Sequence, residues 1–495
     1  MIKRGVITLL LLIATLCAKA QSSFERMKIA EKPSHLVEAP SVEYDPHFWS
    51  QNIVRRGFAQ SVWEDIFCRR VRLMGIKRMR VMLMPSWYEV ENDNNDPDKI
   101  DWSKMDFSSL EMESLYKLLD LAEEQKIEIT LTMWGCHRYW NDKTYFLAEG
   151  NTTNDWCVPS KHSHEWAENI SAALQWLLLK KGYTCIKEFT LMNEPSWSYK
   201  IDDQVDKDHY SEMCHILDNR LKRDGVRKLL KFNLSDDAEN IDFLRHSVKT
   251  VDDVADCYNS HTYKFGYSTP NSVIETWQKA NIEAVAQTGK RHFIGEFGSN
   301  ENVGSSRQRD IDRYERGVLM TRIALMLMNS GAAGVSYWSL LDQYYGPADS
   351  YDSMQQLGLW FSAKREYEGD ERYNNLIKED FQLRPQYYAY SLLTRYIGRG
   401  EIFPLATNNE FVAASAFRRE DGKWVYVVAN GSEEKFSGAI ENPHFRKAKF
   451  DRYYYRQAGL PSDDSLIASD KYQRARQGIF EIDLEPQTMA LYVER

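Results

Sequence analysis

Two glutamates carry the clearest chemical signal in the chain. Glu194 follows the apolar run Phe189-Thr190-Leu191-Met192 and sits in the tetrapeptide Asn193-Glu194-Pro195-Ser196, while Glu296 closes a second run, His292-Phe293-Ile294-Gly295. Two carboxyl groups at the ends of separate buried strands can divide acid-base work between them. One is protonated and releases its proton to a departing oxygen; the other is ionised and attacks or stabilises the carbon left behind. Cleavage of a glycosidic bond requires that division, with the two groups facing one another across the scissile bond.

The pair is useful only if the fold brings the two strand ends together. From about residue 50 the sequence alternates short apolar runs with longer amphipathic stretches, the pattern of repeated strand-helix units. Eight strands are expected, ending near Ala59, Met84, Trp134, Asn193, Ser235, Tyr263, Phe297 and Trp338. The helix-like segments between them include 108–126, 164–181, 272–287 and 311–329. Eight such units predict a closed (β/α)8 barrel, an α/β fold whose C-terminal strand ends share one mouth. An open doubly wound sheet would carry a glycine-rich phosphate turn after an early strand, and 80–87 has no glycine.

Sorting the expected strand ends by chemistry gives Arg80, Trp134, Asn193, Glu194, His261, Tyr263, Glu296 and Trp338, where a purely structural core would place Val, Ile or Leu. His261 could equally be a core histidine bonded to backbone, and Arg80 a structural ion-pair partner. His162 and His164 have a metal-like spacing in a polar stretch that reads better as a solvated loop. No metal and no cofactor are expected.

In order and placement, Asn193-Glu194-Pro195, His261-Thr262-Tyr263, Gly295-Glu296-Phe297-Gly298 and Tyr337-Trp338-Ser339 resemble the motifs of the large clan of retaining β-glycosidases built on (β/α)8 barrels. The resemblance is closest to the family 5 cellulase-like enzymes or a sister family, and it covers roughly residues 50–398. It implies that Glu194 is the general acid/base and Glu296 the nucleophile. It further implies that Asn193 meets the sugar 2-hydroxyl and Trp338 floors the subsite of the attacked sugar. Arg80 and Tyr263 are the groups that could hold Glu296 ionised, whereas a carboxyl between aromatics and near a second carboxylate retains its proton. The chain departs from family 5 at the third strand, where Met133-Trp134-Gly135 stands at the place of a histidine and His137 follows later. The family's substrate is therefore not carried over. The loop 136–162, with Tyr139, Trp140, Tyr145, Phe146 and Trp156, is expected to wall one side of the cleft.

After Arg384-Pro385, residues 386–399 read as a last barrel helix, and from Glu401 the periodicity becomes two. The stretches 411–417 and 424–429 flank Asp421-Gly422, a hairpin signal, and Phe480, Ile482 and Leu484, then Met489, Leu491 and Val493, alternate. The expected organisation is a signal peptide over 1–20, a barrel over 21–400 and a small β-sandwich over 401–495. The sandwich is read as a structural support; a sugar-binding module is the alternative.

Composition fits this reading. The 495 residues carry a formal net charge of −9, which argues against nucleic acid or an anionic membrane as partner. The 14 Trp, 28 Tyr and 21 Phe provide flat faces for the C–H surfaces of sugars, although large barrels are often aromatic-rich. An oligo- or polysaccharide is the expected partner, and no segment beyond the leader is long and apolar enough to span a membrane. Lys3 and Arg4, the apolar stretch 6–16 and Ala18-Lys19-Ala20 form a secretory leader, which places the protein outside the cytoplasm, secreted or periplasmic. The bulky Leu16 before Cys17 speaks against a lipid anchor. Six cysteines remain, Cys68, Cys136, Cys157, Cys185, Cys214 and Cys257, and either a Cys136–Cys157 disulfide or six free thiols is compatible with the spacing. A transglycosylase on the same scaffold, or a catalytically silent carbohydrate-binding barrel, remains open at this stage.

Overall fold

The computed structural model describes residues 24–46, 63–89, 93–94, 96–134, 136–137, 156–157, 163–198, 200–201, 204–301, 308–344, 354–361 and 381–495. Eight parallel strands close a barrel: β1 Ser41–Tyr44, β2 Arg78–Leu83, β3 Glu128–Met133, β4 Ile186–Thr190, β5 Lys231–Ala238, β6 Cys257–Thr262, β7 His292–Phe297 and β8 Val335–Tyr337. Ring closure is made where Ser336 and Tyr337 of β8 pair with Ser41 and Val42 of β1. A parallel barrel is covered by helices on the outside and filled by side chains within, so its strands are buried on both faces. All six residues of β6 and all six of β7 are buried, as that demands.

The intervening helices fall where the amphipathic periodicity put them, at Leu110–Gln125, Ser163–Leu174, Asn271–Val285 and Glu315–Asn329. Local signals set their ends. The Ser109 side chain accepts the Met112 N–H at the start of the first, and Lys126, with φ of 56°, ends it in a left-handed cap.

Two expectations change. The first barrel strand is Ser41–Tyr44, ahead of the position near Ala59, and Ala59 itself lies outside the described residues. The strand is four residues long and carries Glu43 pointing inward, so it never forms the apolar run that marks the others. The boundary at residue 21 also shifts in meaning, because Glu25–Lys28 and His35–Val37 belong to the other sheet. They are short edge strands that borrow their pairing from the C-terminal segment: Glu25–Lys28 runs parallel to Phe436–Glu441, and His35–Val37 antiparallel to Gly400–Leu405.

That second sheet has ten strands and folds over on itself as a sandwich, so that Tyr426 meets Phe480 at 5.0 Å between ring centroids although their strands are not neighbours. The Trp424–Asn430 strand pairs with Val412–Arg419 across the Asp421-Gly422 turn, with Gly422 in the left-handed region. Alternation along these strands feeds two cores. Val412, Ala414, Ala416, Tyr426, Val428, Ala490 and Tyr492 point into the sandwich. Their neighbours Ala413, Phe417, Val425, Val427, Ala429, Met489 and Leu491 join the core of the barrel. The Glu315–Asn329 helix takes most of that contact. There, Tyr314 and Tyr455 stack at 4.7 Å, the Tyr455 hydroxyl donating to the Tyr314 carbonyl at 2.7 Å. Gly317 permits this approach, since a Cβ there would lie 2.5 Å from the Tyr455 oxygen. Among the described residues no helix is long and apolar enough to cross a membrane. The leader and most of 136–162 lie outside the described residues. The backbones of Cys136 and Cys157 face one another in a two-residue antiparallel ladder, while their side chains are not described.

Candidate active site

Arg80 organises the centre of the mouth. Projecting from β2 into the barrel and 4% exposed, it sends Nη1 to Glu43 of β1 and, at 2.7 Å, to Oε1 of Glu296 at the end of β7. Its Nη2 donates at 2.7 Å both to Oδ1 of Asn193 and to Oδ2 of Asp236. One planar fork thus spans four strands, a task that the fixed geometry of guanidinium performs and a lysine could not. The ion pairs exceed a structural role because one of the carboxylates, Glu296, is also held from the other side: the Tyr263 hydroxyl donates to its Oε2 at 2.7 Å.

Glu194 faces this carboxylate. Ligand atoms of Glu194, His261 and Glu296 lie within 4.8 Å of one another. His261, fully buried on β6, has Nδ1 2.9 Å from Oε1 of Glu194 and Nε2 3.1 Å from Oδ1 of Asp236. The Trp197 indole N–H, one helical turn beyond Glu194, donates to the other Glu194 oxygen. The three-residue spacing follows from the short helix Pro195–Ser198, which starts at the proline directly after the glutamate. Glu194 itself has φ of 46°, the left-handed region, and the Ser198 hydroxyl donates to the carbonyls of Asn193 and Glu194.

A bulge in β5 supplies the residue that links the two halves. Ser235 and Asp236 have φ of 73° and 52°, and the pairing with β6 shifts register between Ser235 and Asp237. Bulges re-aim side chains near active sites, and here the result is an Asp236 carboxylate, 0% exposed, lodged between Arg80 and His261. Burial works against its charge, but Arg80 and then His261 outweigh that and hold it down at about 2. Burial likewise opposes a proton on His261, yet Glu296 and Asp236 raise it well above the ordinary imidazole value. Of the two glutamates that share Arg80 Nη1, Glu43 is pushed far up by burial, with Glu296 and Asp45 adding to the shift. Glu296 is raised by burial and opposed by His261 and Arg80. Of the pair, Glu43 is raised further and so holds a proton to higher pH than Glu296 does.

The structure brings Arg80, Asn193, Glu194, His261, Tyr263 and Glu296 into one hydrogen-bonded network. Trp134 and Trp338, just beyond β3 and β8, stack on each other at 5.6 Å between centroids, and the Trp338-Ser339 peptide is cis. His261 is no backbone-bonded core histidine, since both ring nitrogens face carboxylates. Glu43, Trp197 and Asp236 were missed in the sequence. Asp236 had a legible signal, the acidic pair Asp236-Asp237 at an expected strand end, whereas nothing marked Glu43 because its strand was not recognised. Of the aromatic residues expected to wall the cleft, Tyr139, Trp140, Tyr145 and Phe146 lie outside the described residues, as does His162, while Trp156 is described only in its backbone, which pairs with His137.

No protein-family model matches the sequence, and no curated protein matches it. Solved structures do. A GH30 endoxylanase from Clostridium papyrosolvens superposes with a TM-score of 0.63 at 12% identity, covering 96% of this chain and 100% of that one. A conserved exported protein from Bacteroides fragilis gives 0.67 at 12% identity, covering 95% and 100%. A GH39 enzyme from Xanthomonas axonopodis pv. citri gives 0.59 at 14% identity, covering 97% and 98%. At such identities the likeness is one of fold, a (β/α)8 barrel with its attached β domain. The families these names carry are 30 and 39; family 5 is not supported by them.

Proposed function

We propose that the protein is an exported glycoside hydrolase that cleaves β-linked glycans with retention of configuration through a covalent glycosyl-enzyme, Glu296 acting as nucleophile and Glu194 as acid/base. The observation that carries this is the pairing of unequal carboxyl groups: Glu296 accepts from Arg80 and Tyr263, and a Glu194 oxygen stands within 4.8 Å of it. Retaining enzymes hold the two carboxyl groups about 5–5.5 Å apart, whereas inverting enzymes need room for a water and separate them by about 6.5–9.5 Å. Solved neighbours of the same fold are named as glycoside hydrolases, among them an endoxylanase, which supports the reading.

The chain's own groups define the steps. Arg80 and Tyr263 aim Glu296 at the anomeric carbon, and Asn193, whose Oδ1 is taken by Arg80, has its amide hydrogens left for the sugar 2-hydroxyl. The stacked Trp134 and Trp338 offer an apolar wall at the same end of the barrel. The proton comes from the Glu194–His261 pair. With Nε2–H of His261 directed at ionised Asp236, a single proton between Nδ1 and Oε1 of Glu194 lies on one atom or the other, and the leaving oxygen receives it by way of Glu194. The expectation from sequence was that aromatics and a second carboxylate hold this proton; His261 is a further partner for it. In the second half of the cycle Glu194 takes a proton from the incoming water and the pair is reset. The 4.8 Å cluster of Glu194, His261 and Glu296 needs no ion for this, because hydrogen bonds already engage each member.

The test is a panel of β-linked polysaccharides and aryl β-glycosides with NMR of the first-formed anomer. A β-anomer product that disappears in Glu296→Ala supports the assignment. An α-anomer first product, or turnover by Glu296→Ala equal to wild type, refutes it.

A further inference from the structure

A second acidic cluster lies outside this site. Glu89 follows β2 at the mouth end, Asp93 stands four residues on, and Glu168 is on the first turns of the Ser163–Leu174 helix. One oxygen from each falls within 4.8 Å of the others, and all three residues are buried. Glu89 is satisfied: Oε1 accepts the Asp93 N–H at 3.1 Å, and Oε2 accepts from Nδ2 of Asn169 at 2.6 Å. Asn169 is fixed in turn by the Tyr88 hydroxyl at 2.6 Å. Asp93 uses Oδ2 on the backbone N–H of Asp101 and on Nδ2 of Asn94.

Three oxygens remain without any donor: both of Glu168, a residue with 0% exposure, and Oδ1 of Asp93. Leaving buried carboxylate oxygens unpaired is expensive. The Arg220 charge favours ionised Glu168, but its Nε donates to Asp224 at 2.5 Å and its Nη1 to the Pro97 carbonyl. Oxygens that ligate one calcium ion at 2.3–2.6 Å can be no more than about 4.6–5.2 Å apart, which the observed separations satisfy.

We propose that Glu89, Asp93 and Glu168 bind a calcium ion that ties the segment after β2 to the helix after β3 at the rim of the cleft. The all-oxygen donor set favours a hard cation over zinc or copper, since neither His nor Cys takes part. The ion supplies the positive charge for the unpaired oxygens of Glu168 and Asp93 together. Without it, burial and then the charges of Glu89 and Asp93 push Glu168 up to about 9, and burial pushes Glu89 to about 7.

The experiment uses the full-length mature protein, stripped with chelator, and measures calcium binding by calorimetry and Tm by calorimetric scanning. One ion is expected to bind, raising Tm by roughly 5 °C at saturating calcium. Glu168→Gln should abolish binding and the calcium-dependent rise, whereas Glu296→Gln, at the other three-group cluster, should keep both. Absence of calcium binding by the stripped wild type overturns the proposal. So does binding that survives Glu168→Gln but fails in Glu296→Gln, which would place the ion in the active site. If Glu168→Gln does not fold, Asp93→Asn, which removes one ligand charge, takes its place with the same two readings. Initial rates of the folded wild type at low temperature separate this from the catalytic reading: they should be equal with and without calcium.

Discussion

His261 stands between Glu194 and Asp236, Nδ1 at 2.9 Å from the first and Nε2 at 3.1 Å from the second, and so connects the acid/base to the arginine that holds the nucleophile. The imidazole transmits charge in both directions. Asp236 fixes which nitrogen carries the permanent proton, and Arg80 fixes Asp236.

Replacing Asp236 by asparagine should lower the basic limb of the kcat/KM pH profile. The imidazole is raised by Glu296 and Asp236 against the effect of burial, so removing one of those charges brings its titration down toward neutrality. An unmoved basic limb would detach His261 from proton delivery. The same carboxylate sets an acid limit on stability. Its folded value of about 2 lies below the usual 3.8, so its stabilisation is present above the unfolded value and is lost as pH falls toward 2. Wild type should lose about 2–3 kcal/mol through this group between roughly pH 5 and pH 2, and Asp236→Asn should lack that component. Denaturant melts across the range would measure it.

Glu296→Ala should abolish turnover. Glu194→Ala should slow substrates with poor leaving groups by about 10²–10⁴ while sparing activated aryl glycosides in the first step. Azide should then rescue Glu194→Ala as a β-glycosyl azide, because the nucleophile is intact and the vacated face admits the anion. Rescue to the β-azide in Glu296→Ala alone would exchange the two roles.

Arg80→Lys should reduce kcat by roughly 10²-fold or more, since a point charge cannot serve Glu43, Glu296, Asn193 and Asp236 together. Glu43→Gln, by contrast, should keep activity within about an order of magnitude, because burial raises the carboxyl it replaces well above the usual range and so favours its neutral form. Steady-state kinetics of both variants, with circular dichroism to confirm folding, would decide; a Glu43→Gln loss as large as that of Arg80→Lys would mean that Glu43 is charged.

The C-terminal sandwich should behave as part of the barrel's stability. Leu491 is fully buried and belongs to the core shared with the barrel, so Leu491→Ala should cost about 2–5 kcal/mol and lower Tm without altering KM for soluble substrates. Truncation after Gly400 should give insoluble or thermally weakened protein. A soluble truncated barrel, as stable as the full chain and deficient only in binding polymer, would make the domain a binding module.

The sequence by itself was sufficient for the repeating strand-helix pattern, for the turn at Asp421-Gly422 and for the candidate pair Glu194 and Glu296, because strand burial and turn chemistry are local and leave periodic marks. It also placed Asn193, His261, Tyr263, Trp134 and Trp338 at or just beyond strand ends, which a barrel must gather at one mouth, whereas Arg80, also expected at a strand end, lies mid-strand in Arg78–Leu83 and reaches the others by its length. Tertiary structure decided the rest. The four-residue strand with Glu43 is held by its neighbours rather than by its own apolar content, and Glu25–Lys28 finds its partner only through a strand more than four hundred residues away. Asp236 reaches Arg80 and His261 because a bulge turns its backbone into the left-handed region, a conformation that aspartate does not announce in sequence. The raised carboxyl of Glu43 and the lowered one of Asp236 likewise arise from burial and from which charges the closed barrel sets side by side, and those distances exist only once the ring of eight strands has closed.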